Sequence, residues 1–388
     1  MRGLPFDYSV RNLGRSPLRF GAIMLGSTLV VGLVLAAGSF TRGMNESLKL
    51  GGSTNNVLLL SAGSEESIER SEIPANSGAL LAASVAGLKE ANGIPYVSPE
   101  TNVALILRTE RDAPEELRGV IRGVTSSAFL VHPQVMIESG RAPIAGENEI
   151  IVGALTSEKL GLPNSALSEG QQLYFGDRDW TIVGRFGAPG TVMDAEIWVP
   201  LNDVMVALKR DTISAVTVTL DTAEFADVDA FTKQRFDLEL AAVRETEYYA
   251  GLMRFYRPVR WMIGVTAILV SLTGLFGGLN TLYAAFAARI REIGMLQAVG
   301  FTRGAIVWSL LQESLLGAAA GTLVAAALAV FVLDGIAVQF SLGVFALQVD
   351  GVVLLSGIAA GIALGFIGAI PPAIRCLRFP IAEALKAT

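Results

Sequence analysis

Four long apolar runs constrain this chain more than any other feature: Phe20 to Phe40, Trp261 to Phe286, Ile306 to Leu333, and residues 351–373. Each is long enough to cross a bilayer, which takes about 20 apolar residues. Composition agrees. The chain is 52% hydrophobic and 17% charged, with a mean hydropathy of +0.51, whereas soluble proteins average about 25% charged residues. The runs predict four transmembrane helices, over 19–40, 259–286, 304–333 and 351–373.

Charge sets the expected sides. Arg2, Arg11, Arg15 and Arg19 precede the first run. Arg289, Arg291 and Arg303 lie in the 287–303 connection, and Arg375, Arg378 and Lys386 in the 374–388 tail. The acids of these segments are Asp7, Glu292 and Glu383. Such an excess of basic residues marks the cytoplasmic side. The 334–350 loop carries Asp334 and Asp350 and no Lys or Arg, as an outside loop should. In residues 1–18, Leu4, Phe6, Val10, Leu13 and Leu18 alternate with the arginines, and Pro17 interrupts any helix. This reads as an amphipathic helix on the inner leaflet, arginines toward headgroups, or as a plain charged anchor. A signal peptide has an apolar core of about 7–15 residues. Phe20–Phe40 is longer and no A-x-A site follows, so the first run reads as uncleaved.

Residues 41–258 change character. Apolar runs shorten to strand length, as in Asn56–Ser61, Val103–Thr109, Gly119–Thr125, Ile150–Val152 and Ile213–Leu220. Helices are predicted over Ser77–Lys89, Ala154–Leu160, Asn202–Leu208 and Phe225–Leu238. A hairpin is predicted about Gly176-Asp177. This is an α+β domain large enough for its own core, and its flanking helices put it outside.

Catalytic chemistry finds little support. The one cysteine, Cys376, excludes an internal disulfide, and the one histidine, His132, reads as a loop or surface residue before Pro133. Acid pairs such as Glu65-Glu66 and Asp177 with Asp179 sit beside turn residues and read as solvated loops. No G-x-x-x-x-G-K-[ST] phosphate loop occurs. The net charge of -6 argues against a nucleic-acid partner. No catalytic, cofactor or metal site is expected.

In the apolar runs, Gly274 and Gly278, Gly317 and Gly321, and Gly357, Gly361 and Gly365 form small-xxx-small faces that let helices approach closely, in a packed bundle or a dimer. Glu313 lies about two turns into the third run. Its carboxylate either faces the bundle in a structural or coupling role or sits near enough to the interface to stay wet. Pro371-Pro372 is expected to end the fourth helix.

Between the second and third runs, Arg289-Ile290-Arg291-Glu292-Ile293-Gly294-Met295-Leu296-Gln297-Ala298-Val299-Gly300 reads as a short helix. Ile290, Ile293, Leu296, Val299 and, less strictly, Met295 form its apolar stripe and Gly300 its stop. The stripe either rests on the inner leaflet or is gripped by a soluble partner. The run REIGMLQAVGFTRGAI, with Leu311-Gln312-Glu313 after it, resembles the R-x-x-E-I-G-x-L-x-A-x-G pattern of FtsX/MacB-type permeases of ATP-binding-cassette (ABC) transporters. Gly140-Arg141, Asn148 to Gly153, Glu158 to Gly161, Gly170-Gln171 and Ile182-Val183-Gly184 resemble the MacB-type periplasmic core domain. Arg378 to Lys386 resembles the family's ending.

The resemblance implies an α+β membrane protein of four transmembrane helices, with a large two-lobed extracytoplasmic domain between helices 1 and 2 and its β-rich lobe at about 126–212. It implies that Arg289, Ile290, Arg291, Glu292, Ile293, Gly294, Leu296, Val299 and Gly300 form a coupling helix that docks on an ATPase. ATP and Mg would be bound by that partner, present in two copies, and the chain itself would be no enzyme. A second permease protomer, a periplasmic adaptor (membrane fusion protein) and an inner-membrane location are implied as well. With few residues before the first helix, the ATPase is expected as a separate chain. The implied action is mechanotransmission, for export or extraction of a lipid, lipoprotein, peptide or drug-like substrate. The alternative is an FtsX-like signalling subunit that regulates a wall hydrolase.

Overall fold

The structure, a computed structural model, describes residues 6–340, 343–378 and 380–386. Arg2 and Leu4 therefore lie outside the described residues. In chain order the elements are α1 (Phe6–Arg15), α2 (Pro17–Leu50), β1 (Asn56–Ser61), β2 (Ile73–Pro74), α3 (Ser77–Ser84), β3 (Glu90–Ala91), β4 (Ile94–Pro95), β5 (Val97–Leu107) and β6 (Leu117–Val124). There follow α4 (Ala128–Val131), β7 (Met136–Gly140), β8 (Glu149–Gly153), α5 (Thr156–Leu160), β9 (Gln172–Phe175), β10 (Arg178–Gly187), β11 (Glu196–Pro200), α6 (Leu201–Leu208), β12 (Thr212–Ile213), β13 (Ala215–Thr219), α7 (Phe225–Gln234), β14 (Leu240–Arg244) and α8 (Glu245–Phe255). The last third holds α9 (Arg257–Ala287), α10 (Ile290–Ala298), α11 (Arg303–Leu328), β15 (Ala337–Phe340), β16 (Gly343–Ala346), α12 (Gly351–Cys376) and α13 (Ile381–Lys386). Two compact units result. One comprises 1–42, 258–336 and 347–388; the other comprises 43–257 and 337–346.

The mixed unit is built on one sheet, in the order β14-β1-β13-β5-β6-β11-β8-β10-β7, with β9 on β10. Strand β5 divides it. Residues 97–100 pair with β13, and residues 101–107 pair with β6. One core gathers Val57, Leu59, Val216 and Phe231, and another gathers Ile121, Ile150, Trp180 and Ile197. The domain is thus two-lobed, but its β-rich lobe begins earlier than 126. The second half of β5 and all of β6 belong to it, because one continuous strand serves both lobes. Gly176 and Asp177 turn the β9–β10 hairpin with φ of 56° and 59°, the left-handed pair that such a tight turn requires.

Several expectations change. The helix expected to Lys89 stops at Ser84, because Gly87 takes φ +83° and Leu88 bridges to Leu220. The domain also keeps α8, whose Tyr248 and Tyr249 are buried. The 334–350 connection is not a plain loop. Its β15–β16 hairpin belongs to this unit, where Phe340 O accepts a hydrogen bond from Lys159 Nζ at 2.6 Å. His132 is no surface residue; it is 1% exposed, with Nε2 2.9 Å from Glu100 Oε1. Arg122 bonds Glu196 through Nε and Nη2, both at 2.7 Å, and Glu100 through Nη1 at 2.6 Å. The partner of His132, Glu100, lies on β5, 32 residues earlier in the chain, so sequence spacing alone could not reveal it.

The other unit contains the apolar helices. Among the described residues, four helices have the length and hydropathy of membrane spans: Pro17–Leu50, Arg257–Ala287, Arg303–Leu333 and Gly351–Cys376. Pro17 opens α2, where a missing N–H costs nothing; α2 then runs ten residues past the expected limit of 40. Helix α12 passes through Pro371-Pro372 rather than ending there. Ala369 and Ala373 pack fully buried beside Leu310 and Leu311, and helix packing of this kind lets a membrane helix tolerate proline. Asp350 starts α12 by accepting from Val353 N at 2.9 Å and pairs with Arg42 at 2.6 Å.

Candidate functional site

Most of the small-residue faces hold this unit together. A side chain at Gly317 would meet Ile23, one at Gly321 would meet Met24 O, one at Gly357 would meet Leu35, and one at Gly274 would meet Val30, all on α2. Gly361 and Gly365 face Thr322 and Leu315 of α11. Gly278 differs, with nothing within 4 Å.

Helix α10 is amphipathic, as its spacing predicts, and its apolar stripe is already partly covered, at Ile293 and Leu296 but not at Val299. Ile293 is buried in a cluster with Phe286, Ile306, Leu310 and Ala373, and Leu296 packs against the same cluster. Gly294 is buried too, and a Cβ there would lie 2.9 Å from that of Ala384 on α13. The close approach at Gly294 is therefore made by the chain's own tail helix. Ile290 and Glu292 are half-buried, while Arg291, Met295, Val299 and Gly300 are exposed. The open face is Arg291, Met295 and Val299, at helical spacing. Gly300, at φ +103°, turns the chain so that Phe301 N–H returns to Leu296 O at 3.1 Å.

Behind this face lies a polar knot. Glu313 is 3% exposed on α11. It accepts from Asn12 Nδ2 of α1, pairs with Arg19 at 3.3 Å, and pairs with Arg289 at 2.9 Å. Arg289 Nε also reaches Glu292 at 2.8 Å, and Tyr8 OH donates to Glu292 at 2.7 Å. Ser9 Oγ sits 3.0 Å from Ser309 Oγ and 3.1 Å from Gln312 Oε1. Two arginines thus face two carboxylates, which is how a buried charge at membrane depth becomes tolerable. Glu313 thus faces the helix bundle and is closed off from water.

Electrostatics fit this picture. Burial pushes the Tyr8 hydroxyl up to about 12, and its bond to Glu292 adds to the effect. Burial would raise the Glu292 carboxyl, but hydrogen bonds from Arg289 and Tyr8 hold it below its ordinary value. Burial would lower the Arg289 guanidinium, yet Glu292 and Glu313 keep it raised.

Helix α1 is thus not simply laid on a leaflet. Phe6 and Val10 are exposed, but Ser9, Asn12 and Leu13 are buried, the two polar ones through their bonds to α11. The contributions of Tyr8, Ser9 and Asn12 escape sequence reasoning; the only hint is Ser9 and Asn12, spaced i, i+3 on one face. Among the described residues, no group of three or more His, Cys, Asp or Glu could hold a metal ion.

Residues 20–234 match the MacB-like periplasmic core domain, and residues 264–381 match the FtsX-like permease C-terminal domain. The chain belongs to the FtsX/MacB-type family of ABC transporter permeases. It is 23% identical over 382 residues, 94% of each chain, to the uncharacterized ABC transporter permease YknZ of Bacillus subtilis. Among solved structures it is similar to the periplasmic region of MacB from Actinobacillus actinomycetemcomitans (12% identity, 52% of this chain and 94% of that one, TM-score 0.39). It is also similar to the extracellular domain of the noncanonic ABC-type transporter YknZ from Gram-positive bacteria (16% identity, 48% and 98%, TM-score 0.37). A permease of this family works with an ATPase partner, and α10 with its knot is where this permease gathers charged residues from three helices.

Proposed function

We propose that this permease is the mechanical subunit of a transporter whose ATP is hydrolysed by a separate ATPase docked on Arg291, Met295 and Val299. One observation carries the reading. Arg289, at the start of α10, is bonded both to Glu292 on α10 and to Glu313 on α11, and Glu313 is bonded to Asn12 and Arg19. A push on α10 is then shared by α1, α2 and α11 instead of being lost in a loose loop. The helices pass it to the large mixed domain, which lies outside the membrane, and its change of shape drives export or extraction of substrate. The positive bias of the 287–303 connection and of the tail supports a cytoplasmic α10. A pair of such permeases, with two ATPases and an external adaptor, forms the assembly. The size of the two-lobed domain favours transport over signalling alone.

The test is co-purification of the ATPase in detergent. Met295→Asp places a charge at the contact, and an unpaired buried charge costs several kcal/mol, enough to lower affinity by about two decades or more. Because Met295 is exposed, the variant should insert and fold as the parent does while losing the ATPase. Retention of the ATPase at parental stoichiometry would refute the assignment of this face.

A further inference from the structure

The mixed domain has a cleft with no place in the mechanism above. Its volume is 750 Å³, and it runs between α8, the β5–β6 face and the 66–70 segment. Volumes of about 300–1,000 Å³ are usual for small-molecule sites. The cleft is built rather than incidental, since Ile68 N–H donates to Tyr248 OH at 3.2 Å and so ties one wall to the other. Arg70, Arg118, Lys159 and Arg254 converge on it, against Glu66 and Glu69. This is an excess of positive charge in a chain whose net charge is -6. Among the described residues, no carboxylate lies within ion-pair distance of Arg70, Arg118 or Arg254. Lys159 is half-buried; burial lowers its pKa and the charge of Glu69 opposes the shift, while its ammonium is held by Phe340 O. The α8 wall, which carries Arg254, is otherwise apolar, with Leu252 and Phe255, the latter 74% exposed.

Unpaired cations repel one another, and a large exposed aromatic ring is costly in water; a single ligand with an anionic head and an apolar chain relieves both. We infer that the cleft binds an anionic amphiphile, its phosphate or carboxylate held by Arg118, Arg254 and Arg70 and its chain laid along Leu252 and Phe255. The inference deepens the permease reading and rests on it, by naming the class of substrate. The α8 wall ends at Phe255 and the apolar helix α9 begins at Arg257, so along the chain the site directly adjoins a membrane span.

The experiment uses the full chain in nanodiscs of neutral lipid. The probes are a fluorescent lysophosphatidate and the monoacylglycerol with the same chain, with inorganic phosphate as competitor and empty nanodiscs as background. Lysophosphatidate should bind saturably. Arg118→Glu and Arg254→Glu should each weaken it at least tenfold, and Phe255→Ala should weaken it severalfold. Lys209→Glu, at an exposed cation outside the cleft, should leave it unchanged. Equal affinity for the monoacylglycerol would overturn the role of the cations, and displacement by phosphate alone would overturn the role of the chain. Insensitivity to both arginine variants would overturn the site. Co-purification of the ATPase with the same variants keeps the two readings apart: a protein that retains its ATPase but ignores the amphiphile refutes the cleft and leaves the permease reading standing.

Discussion

Glu313→Ala should unfasten the knot. The substitution removes a carboxylate whose side chain is 4% exposed and strips partners from Asn12, Arg19 and Arg289. The two arginines keep side-chain exposures of 12% and 13%, so water compensates them little. Breaking a buried ion pair by removing one partner costs about 3–5 kcal/mol. At about 2–4 °C per kcal/mol for a domain of 150–250 residues, the melting temperature should fall by about 10 °C. The assay is fluorescence-detected thermal unfolding in detergent, run as a double-mutant cycle with Arg289→Ala. Arg289 retains Glu292 when Glu313 is lost, so the two deletions overlap only in part. Their combined loss should fall short of the sum by about 1–3 kcal/mol. Additive losses within about 0.5 kcal/mol, or an unchanged melting temperature, would refute the knot.

Other outcomes follow from the same geometry. Gly321→Val should destabilise the bundle, because its Cβ would meet the backbone oxygen of Met24, whereas Gly278→Val, with open space around it, should not; thermal unfolding of the two variants compares them directly. Leu296→Asp should lower stability as well as ATPase binding, since Leu296 packs on the bundle core, while Met295→Asp should affect binding alone; pairing pull-downs with melting curves separates them. The mixed domain should lose stability at both ends of the pH range. Burial opposes ionisation of Glu100, yet His132 and Arg122 hold its carboxyl at about 2, below the ordinary 4.5; its contribution is present above pH 4.5 and is lost as pH falls toward 2. Burial opposes protonation of His132 too, but Glu100 raises it above 6.5, and burial raises the nearby Glu245 carboxyl. The His132 contribution is therefore full below pH 6.5 and is lost as pH rises through the raised value. Hydrogen exchange of β5 and β6 should quicken above neutrality, and His132→Gln should flatten that dependence.

The four apolar runs made the membrane helices legible, because a span needs only length and hydropathy. Ile290, Ile293 and Leu296 likewise announced a helix with one apolar side. What they could not announce is which surface covers that side. Periodicity gives a face, not its partner, and here the partner is the chain's own core of Phe286, Ile306 and Ala373 together with α13. The exposed face was hidden for the same reason. Met295 fits the stripe only loosely, and the burial of Ile293 is what leaves Met295 on the open face with Arg291 and Val299. Glu313 was visible as an anomaly, while its donors Asn12 and Arg19 lie some 300 residues away in sequence. The lobe boundary leaves no mark in the sequence, because β5 has no break at the point where its partners change.

The most direct measurement places a photo-crosslinking amino acid on α10 in cells that make the permease with its ATPase. At Met295 the account predicts an ATP-dependent adduct with the ATPase subunit, and at Phe236, an 85% exposed residue of the mixed domain, it predicts none. Adducts at Met295 with lipid alone, or ATPase adducts at both positions alike, would contradict the claim that this helix is where the ATPase takes hold.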